Sequence, residues 1–219
     1  MQKKDVFALK QTPVDKFKLK CSQIFLFICV CLCVLTIYVN ITYSIAPVSG
    51  SSMCPTLNYG ENYSSGLHDR VVLNYIKTCQ KGDIIVAKKM YDDDSEHYIY
   101  VIKRLIATGG DTLEIKEDGT VVVNGIELVE NYTTNIKSAT YNNFIALKTN
   151  FADLFDGNVM TIPEGYVFYL GDNREPCGSS DCSSYGPVKE SSIIAKVDFI
   201  LKANENDFIS IIKQIFNIK

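Results

Sequence analysis

The chain has 219 residues, 47% of them apolar, and a formal net charge of −3. That composition fits one or two small globular domains. It excludes the strongly basic balance of a nucleic-acid binder, and no basic stripe occurs outside the N-terminus.

Charge is unevenly spread along the chain. No Asp, Glu, Lys, Arg or His occurs between Lys20 and Glu61, and inside that gap Ile24 to Val39 is almost wholly apolar. Uncharged polar residues extend the segment to about Tyr43. A helix of about 20 residues crosses the hydrocarbon core of a bilayer, so this segment is long enough to span. Lys3, Lys4, Lys10, Lys16, Lys18 and Lys20 precede it, against Asp5 and Asp15, and the next lysine or arginine is Arg70. The positive-inside rule then predicts a cytoplasmic N-terminus, with everything after about residue 44 outside the cell membrane. A cleaved secretory signal competes with this reading, because Ser44-Ile45-Ala46 has a small-x-small form. Pro47 follows at once and disfavours such processing, and the apolar run exceeds a usual signal core. A single uncleaved span is expected.

A few residues later stands Ser49-Gly50-Ser51-Ser52-Met53-Cys54-Pro55-Thr56-Leu57. Gly/Ser clusters are ordinary loop material. Serine becomes a nucleophile only when a base takes its proton, so the segment is a candidate active site only if a partner lies downstream.

The rest of the chain reads as β. Short β-branched or aromatic runs at 70–75, 83–87 and 98–102 are separated by turn residues and by the acidic segment Tyr91 to Glu96. Thr112 to Lys116 and Val121 to Val123 flank a Glu117-Asp118-Gly119 turn, and Asn124-Gly125 is a strong hairpin signal. Residues 131–158 are polar and patternless, with a short helix expected near 146–155. Strands are expected again at 165–170 and near 193–200. From Asp207 to the end, Phe208, Ile209, Ile211, Ile212, Ile215 and Phe216 follow a 3.6-residue period. That helix either closes over the core or lies on a membrane surface.

There are eight cysteines. Cys21, Cys29, Cys31 and Cys33 lie in or beside the apolar segment, where thiols act as small apolar side chains. Cys54, Cys79, Cys177 and Cys182 fall on the predicted outer side, where disulfides persist. Cys177 and Cys182 bracket a short loop that a bridge can close. Sequons at Asn40, Asn62 and Asn131 matter only in a glycosylating host.

Among downstream bases, His68 and His97 sit in polar, turn-like surroundings that suggest surface positions. Lys103 interrupts an apolar strand pattern, between Tyr98 to Ile102 and Leu105 to Ala107. A lysine there is either on an exposed edge or buried. Burial disfavours the ammonium and lowers its pKa from about 10.4; a base working near neutral pH needs a drop of roughly 3 units. Gly171-Asp172-Asn173-Arg174, then Ser179-Ser180-Asp181 and Tyr185-Gly186-Pro187-Val188, gather hydroxyls, carboxylates and an arginine that can orient such an amine.

Four segments, Val48-x-Gly50-x-Ser52-Met53-x-Pro55-Thr56-Leu57, Gly82-Asp83-Ile84-Ile85-Val86, Lys103-Arg104-Leu105-Ile106 through Gly110-Asp111, and Gly171-Asp172-Asn173-Arg174, resemble the ordered boxes of type I signal peptidases. The resemblance spans most of residues 24 to 200. It implies a membrane-bound Ser–Lys endopeptidase of the bacterial type, since endoplasmic-reticulum and archaeal relatives carry histidine at the lysine position. Ser52 matches the nucleophile and Lys103 the general base. The Ser52 N–H would be one oxyanion donor, and Gly50 stands where some members place a serine that supplies the second. Ser179 matches a serine that hydrogen-bonds the lysine amine; Arg104 and Asp181 match a structural ion pair. Met53 and Pro55 match substrate-contacting positions.

The resemblance also implies a mainly β fold: residues 1–20 as a basic N-terminus, 21–43 as the span and 44–111 with 165–204 as a catalytic antiparallel β domain. Residues 112–164 would form a smaller inserted β domain and 205–219 an amphipathic C-terminal segment. Implied partners are signal peptides of exported preproteins, membrane lipid and an adjacent export translocon, with no nucleic acid, cofactor or metal. Two departures stand out. Ala107-Thr108-Gly109-Gly110-Asp111 replaces the usual Gly-x-Pro-Gly-Asp, and Asp181-Cys182-Ser183 replaces Asp-Ser-Arg, with two extra residues before Ser179. A Cys177–Cys182 bridge is one way to restore the rigidity of the missing arginine. Two other readings remain: a self-cleaving repressor-type peptidase, which needs a DNA-binding helix pair and no span, and a catalytically silent membrane-anchored β domain that binds exported proteins.

Overall fold

The computed structural model describes residues 13–59, 64, 66–90, 98–133 and 138–216. The basic residues before position 13, the acidic segment at 91–96, His97 and the Asn62 sequon lie outside the described residues.

Helix α1, Pro13–Thr42, is one compact unit. Its apolar part, Phe17–Thr42, is long enough to cross a membrane. Cys21, Cys29, Cys31 and Cys33 are all on it.

The second unit, from Tyr43 onward, is built on two antiparallel sheets. The strands of the larger are β1 Tyr43–Pro47, β2 Arg70–Asn74, β3 Ile84–Met90, β4 Tyr98–Thr108, β10 Tyr166–Leu170, β11 Val188–Lys189 and β12 Ile193–Leu201, in the order β1-β2-β12-β3-β4-β10-β11. Those of the smaller are β5 Thr112–Ile115, β6 Val121–Val123, β7 Ile126–Glu127, β8 Phe155–Asp156 and β9 Val159–Thr161, in the order β7-β6-β5-β9-β8. The Asn124-Gly125 signal is fulfilled: both residues have positive φ (53° and 76°) and link β6 to β7. The Asn124 side chain also ties the turn to its neighbours, accepting from Thr112 N and donating to Asp111.

The expected runs at 98–102 and 105–107 form one eleven-residue strand. β4 lies between β3 and β10, so it is an interior strand. Lys103 is paired with Ile85 and shares a strand face with Leu105 and Ala107, which line the main core with Phe144, Phe168 and Tyr169. A second core, formed by Val48, Met53, Leu57, Val71, Leu73, Ile84 and Val86, seats the Ser52 turn.

The helix expected near 146–155 lies earlier, as α2, Ser138–Ala146, followed by short 3-10 turns at Leu147–Thr149 and Ala152–Leu154. Its inward stripe is Thr140, Phe144 and Leu147, an i, i+4, i+7 spacing hidden in the sequence by the polar residues around it. A short helix α3, Cys182–Tyr185, follows β10. The C-terminal helix is present as α4, Asp207–Ile215, and it does not close over the core; its buried residue is Ser210.

Candidate active site

The Ser52 turn is held from below and from the side. Val48, Met53 and Leu57 are buried beneath it. Backbone bonds Cys54 N to Ser51 O and Leu57 N to Met53 O give it a helix-like curl. Asn58, at φ 53°, stitches its ends: its amide donates to the Val48 and Gly50 carbonyls, and it exchanges bonds with Asp69. Met53 is thus a core anchor that shapes the turn and, fully buried, is not placed to contact a substrate. Pro55 is half-buried.

Lys103 reaches this turn from β4. Its Nζ donates to Ser52 Oγ at 2.7 Å and to the Ile102 carbonyl at 3.0 Å. The residue is only 4% exposed. Burial pulls its pKa down to about 8; Asp181 opposes that shift and the Lys89 charge reinforces it. About a tenth of the amine is then neutral at pH 7.

The loop after β10 forms the far wall. Asn173 N donates to Ser52 O at 3.1 Å, and its side chain donates to Ser51 O. Gly171 is packed so closely that an added Cβ would lie 2.3 Å from Ser179 Oγ and 2.4 Å from Ser52 O. Gly171→Ala is therefore expected to push the serine turn off the amine and lower kcat/KM by roughly 10²-fold or more, with substrate binding less affected. A near-normal kcat in a peptide-cleavage assay would show that the wall yields.

Three expectations about this wall need correction. Ser179 lies beside Gly171, but its buried hydroxyl makes no hydrogen bond among the described residues, and the Lys103 contacts go to Ser52 and Ile102 instead. Arg104 pairs with Asp172, not Asp181: Nε and NH2 meet the two carboxylate oxygens at 2.8 and 2.5 Å. Arg104 burial disfavours its charge, but the Asp172 bonds outweigh this and raise its pKa. Thr56 from the serine turn donates to the same carboxylate. Asp181 instead accepts from Gly171 N, Ser183 N and Ser183 Oγ, and so caps α3. Ser183, standing where the usual arginine is missing, thus serves Asp181 directly. The Cys177–Cys182 bridge is absent: both thiols are free, Cys182 buried in the main core and Cys177 exposed. Burial pushes the Cys182 thiol well above the ordinary range.

One pair escaped the sequence reading. Arg174, 1% exposed, donates to the Gly171 carbonyl and to both carboxylate oxygens of Glu130. Glu130 follows Leu128-Val129 at the edge of the polar 131–158 segment, and no spacing in the sequence marks Arg174 as its partner. His68 is exposed, away from any role expected of a base. Gly50 has open space where a Cβ would go. Among the described residues no group of three or more His, Cys, Asp or Glu is placed to hold a metal.

A serine hydroxyl held against the amine of a buried lysine is competent for acyl transfer, the chemistry of the serine hydrolases. The family described as signal peptidase, peptidase S26, matches residues 21–202. Signal peptidase I of Bacillus amyloliquefaciens is 32% identical over 154 residues, 70% of each chain. Signal peptidase IB of Staphylococcus aureus is 34% identical over 158 residues, 69% of this chain and 74% of that one. A signal peptidase I crystal structure from Enterococcus faecalis V583 is 28% identical, covering 55% of this chain and 97% of that one at a TM-score of 0.36. The chain belongs to the signal peptidase S26 family, and with it to the proteases.

Proposed function

We propose that this protein is a membrane-bound endopeptidase that removes signal peptides from exported preproteins. The observation that carries the mechanism is the 2.7 Å contact between Ser52 Oγ and the buried Lys103 amine. In the neutral form Lys103 accepts the Ser52 proton as Oγ attacks the scissile carbonyl. The Ser52 N–H, on the open side next to Gly50, faces the developing oxyanion. The tetrahedral intermediate collapses, Lys103 gives the proton to the leaving amine, and an acyl-enzyme remains. Lys103 then takes a proton from water, the hydroxide attacks the ester, and Ser52 recovers its hydrogen.

The sheet supports a route for the substrate. Among the described strands, β10 pairs with β4 only over Arg104–Thr108. Tyr98–Lys103 therefore has a strand partner on the β3 side alone. An extended cleavage region can add to that free edge and pass Ser52. The apolar helix α1 serves as the anchor, with the N-terminus cytoplasmic and the sheets outside. In this reading 112–164 is an insert in a catalytic domain formed by 44–111 and 165–204, and lipid and the export translocon are its neighbours. A silent binding domain is not favoured, because the chain belongs to a protease family.

The test is product mapping. The full chain in detergent, mixed with a preprotein, is expected to create one new N-terminus directly after a small-x-small sequence. No cleavage, or scattered cleavage, overturns the proposal.

A further inference from the structure

Helix α4 lies beyond residue 202, where the family match ends. It is attached by its polar side. Asp207 meets Arg70 at 2.5 Å, and Asn206 caps the first turn through Phe208 N. Ser210 donates to Glu205, which also meets Lys213. Gln214 exchanges two hydrogen bonds with the backbone of Ile200 on β12.

Most of the apolar stripe points the other way, with Ile212 at its middle half-buried. Phe208, Ile209, Ile212, Ile215 and Phe216 share one arc of the helix at 3.6 residues per turn. Phe208 is 72% exposed, Ile209 51%, Ile215 55% and Phe216 67%. A helix that closes a core does the reverse. Exposed Tyr59 and Leu67 lie by the turn that leads to α4, lining a cavity of about 310 Å³ whose other walls include polar Asn58, Asp69, Lys202 and Glu205. Ile200 is paired through Val71 with Ala46 of β1, the strand that follows the apolar helix in sequence, and Ile45 beside it is also exposed.

We propose that α4 is an interfacial helix whose Phe208-to-Phe216 stripe sits at the headgroup–acyl boundary of the bilayer. This rests on the membrane-bound reading given above. A second copy of the chain is a poorer occupant: the stripe of a nine-residue helix offers roughly half of the ~800 Å² per partner that a specific interface buries. The acids and bases of the segment balance, Glu205 and Asp207 against Lys213 and Lys219, so attachment is apolar and needs no anionic lipid.

The chain contains no tryptophan, which makes the test direct. Phe208→Trp supplies a single fluorophore at an exposed position, and Glu117→Trp, on a turn of the smaller sheet, supplies the solvent control. The full chain is reconstituted in phosphatidylcholine vesicles. With the helix roughly 5–10 Å into the boundary, the emission of the Phe208→Trp variant is expected to shift to shorter wavelength and to be quenched by lipids brominated near the carbonyl end, unchanged by salt. Water-like, unquenched emission overturns the proposal. So does a blue shift that grows with protein density without quenching, which marks contact between copies. A parallel assay separates this from the proposed function: Phe208→Asn with Ile215→Asn is expected to cleave a soluble peptide in detergent at the wild-type rate while losing lipid quenching of a Phe216→Trp reporter. Retained quenching in that variant also overturns the proposal; failure of peptide cleavage in the wild type counts only against the protease mechanism.

Discussion

Ser52→Ala and Lys103→Met are each expected to lower kcat/KM for preprotein cleavage by at least roughly 10⁴-fold, and the double variant to fall no further than the worse single one. In the proposed mechanism the two side chains act as one unit across a single 2.7 Å contact. Removing the base leaves a hydroxyl with no acceptor for its proton, and removing the hydroxyl leaves a base with nothing to activate. Additive losses in purified, folded protein would show that the contact is structural. The same geometry fixes a pH profile. With the Lys103 amine near 8, kcat/KM is expected to rise about tenfold per unit of pH below that value and to level off above it.

In the proposed mechanism Lys103 is needed for activity, yet its burial costs stability. Its ordinary pKa is 10.5 and burial brings it to about 8. Between those values the unfolded chain holds more protons than the folded one, so stability rises with pH across the window. Below pH 8 the full cost is present, on the order of 3 kcal/mol. Lys103→Met removes it. The inactive variant is expected to unfold at higher denaturant than wild type at pH 7, and the gap is expected to close between about pH 8 and 10. A wild type that is the more stable protein at pH 7 would mean the amine is not desolvated.

The second large effect lies at Glu130. Arg174 is buried, and its charge is matched by the Glu130 carboxylate. Glu130→Ala leaves that guanidinium uncompensated in a low-dielectric site, a loss of about 3–5 kcal/mol. Arg174 also holds the Gly171 carbonyl, so the loop that walls the serine turn loosens with it. Calorimetry of the full chain in detergent is expected to show a clear drop in Tm together with lower activity. Glu130→Leu combined with Arg174→Met is expected to recover stability, since a matched apolar pair carries no buried charge, but not the activity lost with the Gly171 contact. An unchanged Tm in Glu130→Ala would show that water reaches Arg174.

What could be read from residues alone follows how local each feature is. The Ser52 turn, the Asn124-Gly125 hairpin and the apolar helix are set by neighbours in sequence, and each appears where expected. Burial of Lys103 depends on β3 and β10 flanking β4, and that pairing joins segments far apart in the chain. The resemblance assigns Asp181 to Arg104, and the structure gives that place to Asp172 for a similar reason. Both acids lie in one loop, and only the fold turns Asp181 toward Gly171 N and Ser183. Met53 carried a motif position whose side chain serves the core, a distinction that only packing reveals. Periodicity marked α4 correctly as a helix, but it could not say which face the protein would claim.

The strand order has a consequence for how the protein comes into being. β12 lies between β2 and β3, so two strands close together in sequence are joined in the sheet through a segment made well after both. Chains are synthesised from the N-terminus, and pairings this distant form late and slowly. Ser52 and Lys103 are both in place in the polypeptide long before the sheet that aligns them can close. Assembly of the larger sheet, the frame that surrounds Ser52 and Lys103, therefore waits on β12.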